Sequence, residues 1–143
     1  MNLTYLITPF LAWLVTGAIK FFINSLRASR LAFNQIGYGG MPSNHSAIAS
    51  SIGTLIALNE GIQHPAFGLA IAFLFIVVLD AHSLRGQIGK HAAAINRLEK
   101  ECGIELKYRL REKIGHSKVE ILAGLLCGAI VALAVHFIRH HYQ

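Results

Sequence analysis

Residues 3–19, LTYLITPFLAWLVTGAI, contain no charged side chain. After Lys20 the apolar character resumes in residues 21–23, so the run approaches the ~20 residues that a helix needs to cross a ~30 Å hydrocarbon core. The residues before it supply no basic segment, and no small-residue cleavage site follows. This stretch therefore predicts a retained transmembrane helix and not a cleaved signal peptide.

Three further apolar runs extend this interpretation to the whole chain. Residues 121–138 are apolar except for His136 near their end, and residues 66–79 are apolar up to Asp80. Residues 47–58 are rich in Ser, Gly, Ala and Thr, which predicts an inner helix that neighbouring helices approach closely and shield from lipid. With 54% hydrophobic residues and 14% charged residues, the 143-residue chain is predicted to be a single domain. Its expected fold class is all-α, an integral membrane helical bundle of about four spans.

The basic residues predict an orientation for this bundle. Of the 13 Lys and Arg residues, three lie within residues 20–30, nine lie within residues 85–118 and one is Arg139. If the apolar runs are spans, both basic segments fall on one side, which the positive-inside rule assigns to the cytoplasm. The net charge of +6 then reflects topology and attraction to anionic headgroups. No basic groove interleaved with aromatic residues is present, so no nucleic-acid partner is expected.

The long basic segment also contains a helical pattern. Four apolar residues recur at helical spacing among charged ones: Ile88, Ala92, Ile95 and Leu98. This pattern predicts a cytoplasmic amphipathic helix that lies on the membrane surface or against the bundle. Residues 105–118 are mostly basic and less periodic, and we expect headgroup contacts to order them in part.

Two sets of polar residues near the ends of the predicted spans suggest an anion site. Lys20 and Arg27 are seven residues apart and therefore share one helix face, two turns apart. They fit either phosphate ligands or two cations that snorkel at the membrane edge. Arg85, five residues after Asp80, fits either an anion ligand or an ordinary positive-inside residue with Asp80 as its surface partner.

The sequence MPSNHS, residues 41–46, predicts the start of the inner helix. Pro42 fixes the backbone, Ser43 suits the N-cap, and His45 falls in the first turn. A helix start offers unpaired N–H groups and a positive dipole end, and the glycines at positions 39 and 40 let the backbone wrap a ligand. The segment is therefore either half of an anion site or a plain cap with an interfacial histidine.

The pair His116 and Glu120 carries the reactive chemistry. Four residues apart on a helix, the carboxylate can hold one imidazole nitrogen and leave the other free and more basic. A nucleophile or general base requires this arrangement, although a helix-start histidine with a chance acid would share the spacing. Three cations, two histidines and a helix start, all expected on one side of the membrane, together predict a site for a phosphate group.

These motifs resemble those of the type-2 phosphatidic acid phosphatase superfamily, which includes lipid phosphatases and vanadium haloperoxidases. The resemblance is closest to its short divergent branch of bacteria and plants. The superfamily pattern is K-x6-R-P, then P-S-G-H, then S-R-x5-H-x3-D. Lys20 and Arg27 match the first block, with Ala28 in place of proline. Residues 42–45 match the second, with Asn44 in place of glycine.

The third block is split in this sequence. Ser83 and Arg85 are separated by one residue, and His116 with Glu120 supplies the His-x3-acid part after an insertion. Arg85, five residues and His91 also match the spacing, but the acid position is then Ile95, which cannot orient an imidazole. His116 is therefore chosen as the nucleophile, with His91 as the alternative.

The resemblance implies a metal-independent phosphomonoesterase without a cofactor that works through a phosphohistidine. His116 would attack phosphorus, Glu120 would hold its ring, and His45 would protonate the leaving alkoxide. The implied phosphate-binding residues are Lys20, Arg27, Gly40, Ser43 and Arg85, with Asp80 and Asn44 in supporting roles. The implied substrate is a lipid or isoprenoid phosphate, and the implied location is a bacterial inner membrane with the site facing the cytoplasm.

Two other function classes compete with this one. A non-catalytic membrane protein could keep the anion pocket to bind or translocate a phosphorylated lipid. A cation or metal transporter, suggested by the eight histidines, ranks low because several of them are scattered or terminal. Cys102 and Cys127 are far apart and predict neither a disulfide framework nor a zinc site. The sequence leaves the oligomeric state open, a homo-oligomer included.

Overall fold

The computed structural model of the protein describes residues 3–28, 40–103 and 108–141, without the side chains of residues 27 and 28. This part of the chain forms helices and no strand, so the predicted all-α class is confirmed. The elements are α1 (Thr4–Ala28), α2 (Asn44–Asn59), α3 (Pro65–Leu79), a π-helical turn (Asp80–Leu84), α4 (Arg85–Cys102) and α5 (Lys118–His141).

Within the described ranges, three helical segments are long and apolar enough to cross a membrane: Thr4–Leu26, Pro65–Cys102 and Lys118–His141. Large apolar side chains on these segments point away from the protein, among them Phe10, Phe75 and Phe137, each more than half exposed. Such surfaces are stable in lipid and costly in water. The predicted membrane helical bundle is therefore confirmed.

The helix α2 lies inside the bundle and packs against α1, α3 and α5. Small residues make this possible, because a Cβ atom at Gly124 or Gly128 of α5 would collide with backbone carbonyls of Ser43 and Ala47. The two helix backbones thus approach closely where these glycines lie. Eight residues of α2 are buried: Ser46, Ala47, Ala49, Ser50, Ser51, Gly53, Leu55 and Ile56.

The span that begins at Pro65 does not end at Asp80, where its apolar run stops. It continues through the π-helical turn into α4 as one helical segment of 38 residues. At 1.5 Å per residue this segment is about 57 Å long, so it extends well beyond a ~30 Å hydrocarbon core. The predicted amphipathic helix exists as α4, but it is a continuation of the span and not a separate surface helix. A helix satisfies its backbone hydrogen bonds locally, so a change to polar side chains does not by itself end it.

The chain returns to the bundle along α4 through residues 108–117, which we call the return segment. The Asn96 side chain holds it: Nδ2 donates to the Leu110 carbonyl at 2.8 Å and to a Glu112 carboxylate oxygen at 2.8 Å. The amide N–H of Leu110 donates back to Asn96 Oδ1 at 3.0 Å. Gly89 gives the segment room, because a Cβ atom there would collide with the Glu112 carbonyl. Hydrogen bonds to α4 therefore order these residues, where headgroup contacts were expected.

Because the helices of the bundle are antiparallel, residues that are distant in sequence meet at each of its two ends. At one end, the Tyr5 hydroxyl donates to Glu60 at 2.5 Å, and His136 Nδ1 lies 2.6 Å from Asn59 Oδ1. His64 caps α3 there, because its Nδ1 accepts from the Ala66 N–H at 3.2 Å. At the other end, which we call the basic end, residues 20–24, 40–46, 80–86 and 115–120 meet.

Candidate functional site

Two backbone hydrogen bonds hold the basic end together. The Ser43 N–H donates to the Glu120 carbonyl at 2.9 Å, which joins the start of α2 to the first turn of α5. The His116 N–H donates to the Ala81 carbonyl at 3.0 Å, which joins the return segment to the π-helical turn. Gly115, at φ 103°, permits the second contact, because an added Cβ atom would lie only 3.2–3.4 Å from backbone atoms of Ala81, Arg85 and Gly86. Three segments that are distant in sequence thus become neighbours.

His116 and Glu120 form the pair that their spacing predicts. His116 Nδ1 lies 3.3 Å from Glu120 Oε2, which leaves Nε2 as the free ring nitrogen. The His116 side chain is only 7% exposed, and that of Glu120 is 21% exposed. A buried imidazole beside a partly buried carboxylate has a fixed orientation, as a nucleophile or base requires.

Glu120 has a second role, as a cap at the start of α5, that was not predicted from the sequence. Glu120 Oε2 also accepts from the Ser117 N–H at 2.9 Å, and Ser117 Oγ accepts from the Glu120 N–H at 3.3 Å. Together these bonds form a capping box, which satisfies two otherwise unpaired donors at the start of α5. The sequence does contain the signature of this cap, which is Ser-x-x-Glu before an apolar run.

The surroundings of His116 lower its pKa below the ordinary 6.5, mainly because burial disfavours the charged ring. The Lys20 ammonium is the next cause and acts in the same direction. The hydrogen bond to Glu120 opposes both and raises the pKa. The net effect is an imidazole that stays neutral, and therefore nucleophilic, at near-neutral pH.

The start of α2 contributes His45 and two serines. His45 is exposed and lies within electrostatic reach of Lys20, Asp80 and Arg85. Ser43 is fully buried as the N-cap, and its Oγ accepts from the Ser46 hydroxyl at 3.0 Å and from the Ser46 N–H at 3.4 Å. The Ser43 hydroxyl thus serves the helix cap, and its role in phosphate binding stays a prediction.

Two further predicted site residues lie beside this cap: Asn44, predicted to have a supporting role, and Gly40, predicted to bind phosphate. The Asn44 side chain has a buried oxygen with no hydrogen-bond partner. Gly40 has φ 135°, which favours glycine, and a Cβ atom there would lie 3.6 Å from Asn24 Oδ1 of α1. Gly40 therefore places the approach to α2 against α1.

The cations come from two elements. Arg85 Nε donates to Asp80 Oδ2 at 2.7 Å across the π-helical turn, which leaves the terminal guanidinium nitrogens for another partner. Lys20 is half-buried on α1 and close enough to affect His116. Arg27 lies two turns further along α1, and its side chain is outside the described residues. His91, the alternative nucleophile, is exposed on α4.

The structure therefore brings together His45, Asp80, Arg85, His116, Glu120 and Lys20 at the basic end. Among the described residues, no three His, Cys, Asp or Glu side chains are grouped so that they could hold a metal ion. The arrangement offers a neutral imidazole nitrogen, an exposed second imidazole and at least two cations. These are the groups that phosphoryl transfer without a metal would use.

Comparison with known proteins gives a family. The profile of the family described as "Divergent PAP2 family" matches residues 1–131. An "Uncharacterized membrane protein YuiD" of Bacillus subtilis (strain 168) is 30% identical over 113 residues, which cover 69% of this chain and 72% of the relative. No solved structure matches the chain.

Proposed function

Because this chain belongs to the Divergent PAP2 family, we propose that it is a membrane phosphatase that hydrolyses a lipid or isoprenoid phosphate monoester through a phosphohistidine. The observation that supports this most is the position of His116. Its Nδ1 faces Glu120, its backbone is fixed to the π-helical turn beside Arg85, and its ring lies within electrostatic reach of Lys20 and His45.

In the proposed reaction, His116 Nε2 attacks phosphorus and the bond from phosphorus to the ester oxygen breaks. His45 gives its proton to the leaving alkoxide, so the alcohol leaves neutral. A water molecule then gives a proton to His45 and attacks the phosphohistidine, which releases inorganic phosphate and restores His116. Glu120 stabilises the positive charge that develops on the His116 ring in the first step.

The cations supply the electrostatic part of catalysis. Lys20 and the terminal nitrogens of Arg85 bind phosphoryl oxygens, with Arg27 as the third cation. The Asp80 carboxylate, 2.7 Å from Arg85 Nε, orients the guanidinium and leaves its outer edge for phosphate. Positioned charge of this kind is the main contribution a protein makes to phosphoryl transfer.

The location of the site favours an amphiphilic substrate. The basic end lies where long, lipid-exposed helices reach their polar ends, so a bound phosphate would sit near the headgroup layer while an acyl or isoprenoid chain stays in the hydrocarbon. We propose that this end faces the cytoplasm at a bacterial inner membrane, which the distribution of Lys and Arg supports.

The test measures inorganic phosphate released from a lipid phosphate by the purified protein in detergent with a chelator present. We expect release by the natural chain and a loss of at least about a thousandfold in His116→Ala, because the covalent step is removed. His91→Ala is the matched control and should keep the natural rate. Loss in His91→Ala with full release by His116→Ala would reverse the choice of nucleophile.

The alternative function is binding or translocation of a phosphorylated lipid without hydrolysis. The observation that favours it is the burial of the His116 side chain, which is 7% exposed. In that case the natural protein binds the lipid phosphate and releases no phosphate, and Lys20→Ala weakens binding while His116→Ala leaves it unchanged. Measuring both binding and phosphate release for Lys20→Ala and His116→Ala therefore distinguishes hydrolysis from binding without hydrolysis.

A further inference from the structure

The helix α4 carries an apolar stripe that the rest of the described chain does not cover. The stripe begins at Leu84, the last residue of the π-helical turn, and four of its residues are 45–59% exposed: Leu84, Ile88, Ile95 and Leu98. Charged residues surround them on α4, and the helix extends past the length that hydrocarbon can cover. An apolar stripe outside the hydrocarbon marks a surface that another molecule covers.

The stripe has the spacing of a coiled-coil seam. Its positions are separated by alternating steps of four and three residues, and they lie within an arc of about 80° on a helix. We call this set the seam: Leu84, Ile88, His91, Ile95, Leu98 and Cys102. Ile88 and Ile95 fall at the a positions, and Leu84 and Leu98 fall at the d positions. Isoleucine at a with leucine at d favours two parallel strands.

The charges of α4 favour a second copy over the membrane surface as the covering molecule. Lys90, Arg97 and Lys100 lie about 120–160° around the helix from the seam. On a helix that rests on anionic lipid, cations flank the apolar face and reach the headgroups, whereas these point away. The seam itself carries no Lys, Arg, Asp or Glu, so two copies can meet there without opposing like charges.

The return segment leaves the seam open. It packs on the face of α4 that contains Gly89, Ala92 and Asn96, about 80–140° away from the seam. The exposed apolar surface also runs on toward the membrane through Leu79 and Ile76, which are 49% and 63% exposed. An interface along the seam can therefore continue into the lipid-facing part of the same helical segment.

We propose that two copies of the protein pair through this seam, with their α4 helices parallel and related by a twofold axis along the membrane normal. Two chains in one bilayer share an orientation, so their α4 helices are parallel, which is the arrangement that the isoleucine and leucine positions favour. Nineteen residues make a short coiled coil, but confinement to the membrane raises the effective concentration of the partner.

The test uses cysteine cross-linking in membrane vesicles that contain the full chain. Cys102 is free and exposed at an a position of the seam, and Cys127 lies within the bundle. In a Cys127→Ser chain, oxidation with copper phenanthroline should link two copies through Cys102. In a chain without either cysteine, Ile95→Cys should cross-link about tenfold faster than Arg97→Cys, because only seam positions reach disulfide distance.

A second pair, Ile88→Cys and Lys90→Cys, repeats the comparison so that one misfolded variant cannot decide it. Equal cross-linking on the two faces of α4 would overturn the proposal. So would seam cysteines that neither cross-link nor react with a water-soluble maleimide, since lipid would then cover the stripe. None of these readouts uses phosphatase activity, so the dimer and the proposed function are tested separately.

Discussion

The Glu120 carboxylate holds a helix start and an imidazole ring at the same time. One oxygen, Oε2, accepts the Ser117 N–H and faces His116 Nδ1. The positive end of the α5 dipole favours a negative charge at this position. The fold alone therefore fixes both the carboxylate and the orientation of the His116 ring beside it.

The lowered pKa of His116 predicts a pH profile. Reaction requires the neutral ring, so kcat/KM should fall on the acid side with a midpoint below the ordinary value of 6.5. The same group destabilises the fold in acid: its pKa is lower when folded, so the stability it contributes is present above pH 6.5 and is lost as the pH falls through the folded value. The measurement is the rate of phosphate release across pH 4.5–8.5, about two units either side of the pKa of an ordinary histidine.

Glu120→Gln serves as the control in this profile. Glutamine can still complete the capping box, so α5 keeps its start, but the charge that raises the His116 pKa is gone. The acid midpoint should therefore move lower while the maximal rate falls. Ionisation of the substrate affects the natural protein and Glu120→Gln equally, so it does not contribute to the difference between their acid midpoints. An unchanged midpoint would show that another group controls the acid side.

At the scale of single residues, local patterns were predictable and distant contacts were not. The pairing of His116 with Glu120 follows from four-residue spacing, which a helix converts into contact. The approach of Lys20 to His116 joins α1 to the far end of the chain, and no spacing rule gives it. The fully buried hydroxyl of Ser43 follows from the packing of α5 on α2, which also lies beyond the reach of local sequence.

The contact between α2 and α5 depends on the absence of side chains. Gly124 and Gly128 lie one turn apart on α5, against the Ser43 and Ala47 carbonyls. Close approach of backbones is the main source of helix association in lipid, where the hydrophobic effect between helices is weak. This contact also carries the Ser43 to Glu120 hydrogen bond, so the packing of two helices positions two parts of the candidate site.

Gly128→Ala should therefore destabilise the bundle by about 1–3 kcal/mol, because the added methyl group meets backbone that cannot move aside. Gly68→Ala is the matched control: Gly68 is also helical, but no atom lies within 4 Å of the added Cβ. That variant should change stability by less than about 1 kcal/mol, in the stabilising direction. Denaturant unfolding in detergent, followed by circular dichroism, measures both. Equal stability of the two variants would contradict the packing.

At the scale of elements, hydropathy predicted which segments are helical but not every residue at which a helix ends. The long apolar runs identified α1, α3 and α5, and the small residues after Ser43 identified α2 as the inner helix. The continuation of α3 into α4 was missed because a run of polar residues was taken as the end of a span. The position of the return segment depends on Asn96, whose partners are 14 and 16 residues away.

The whole molecule has a charge asymmetry between its two ends. The basic end gathers the residues of the candidate site, whereas the Tyr5 to Glu60 and Asn59 to His136 contacts close the other end. Membrane insertion retains Lys and Arg on the cytoplasmic side. We therefore expect the basic end, and with it the candidate site, to face the cytoplasm.

Labelling with a membrane-impermeant maleimide tests this orientation. In spheroplasts, Gln63→Cys in a chain without its native cysteines should react, because Gln63 is exposed in the turn between α2 and α3 at the non-basic end. Cys102 in a Cys127→Ser chain should react only after the membrane is permeabilised. The reverse pattern would place the candidate site on the outer side.

The π-helical turn sets the rotational phase of α4, the part of the Pro65–Cys102 segment that follows it. Its hydrogen bond from the Arg85 N–H to the Asp80 carbonyl spans one residue more than an α-helical bond. One residue corresponds to about 100° of rotation, so this turn decides which side of α4 meets the return segment and which side stays open. A change in the number of residues in this turn would therefore rotate two parts of the helical segment by the same angle: the part that contributes to the candidate site and the open face of α4.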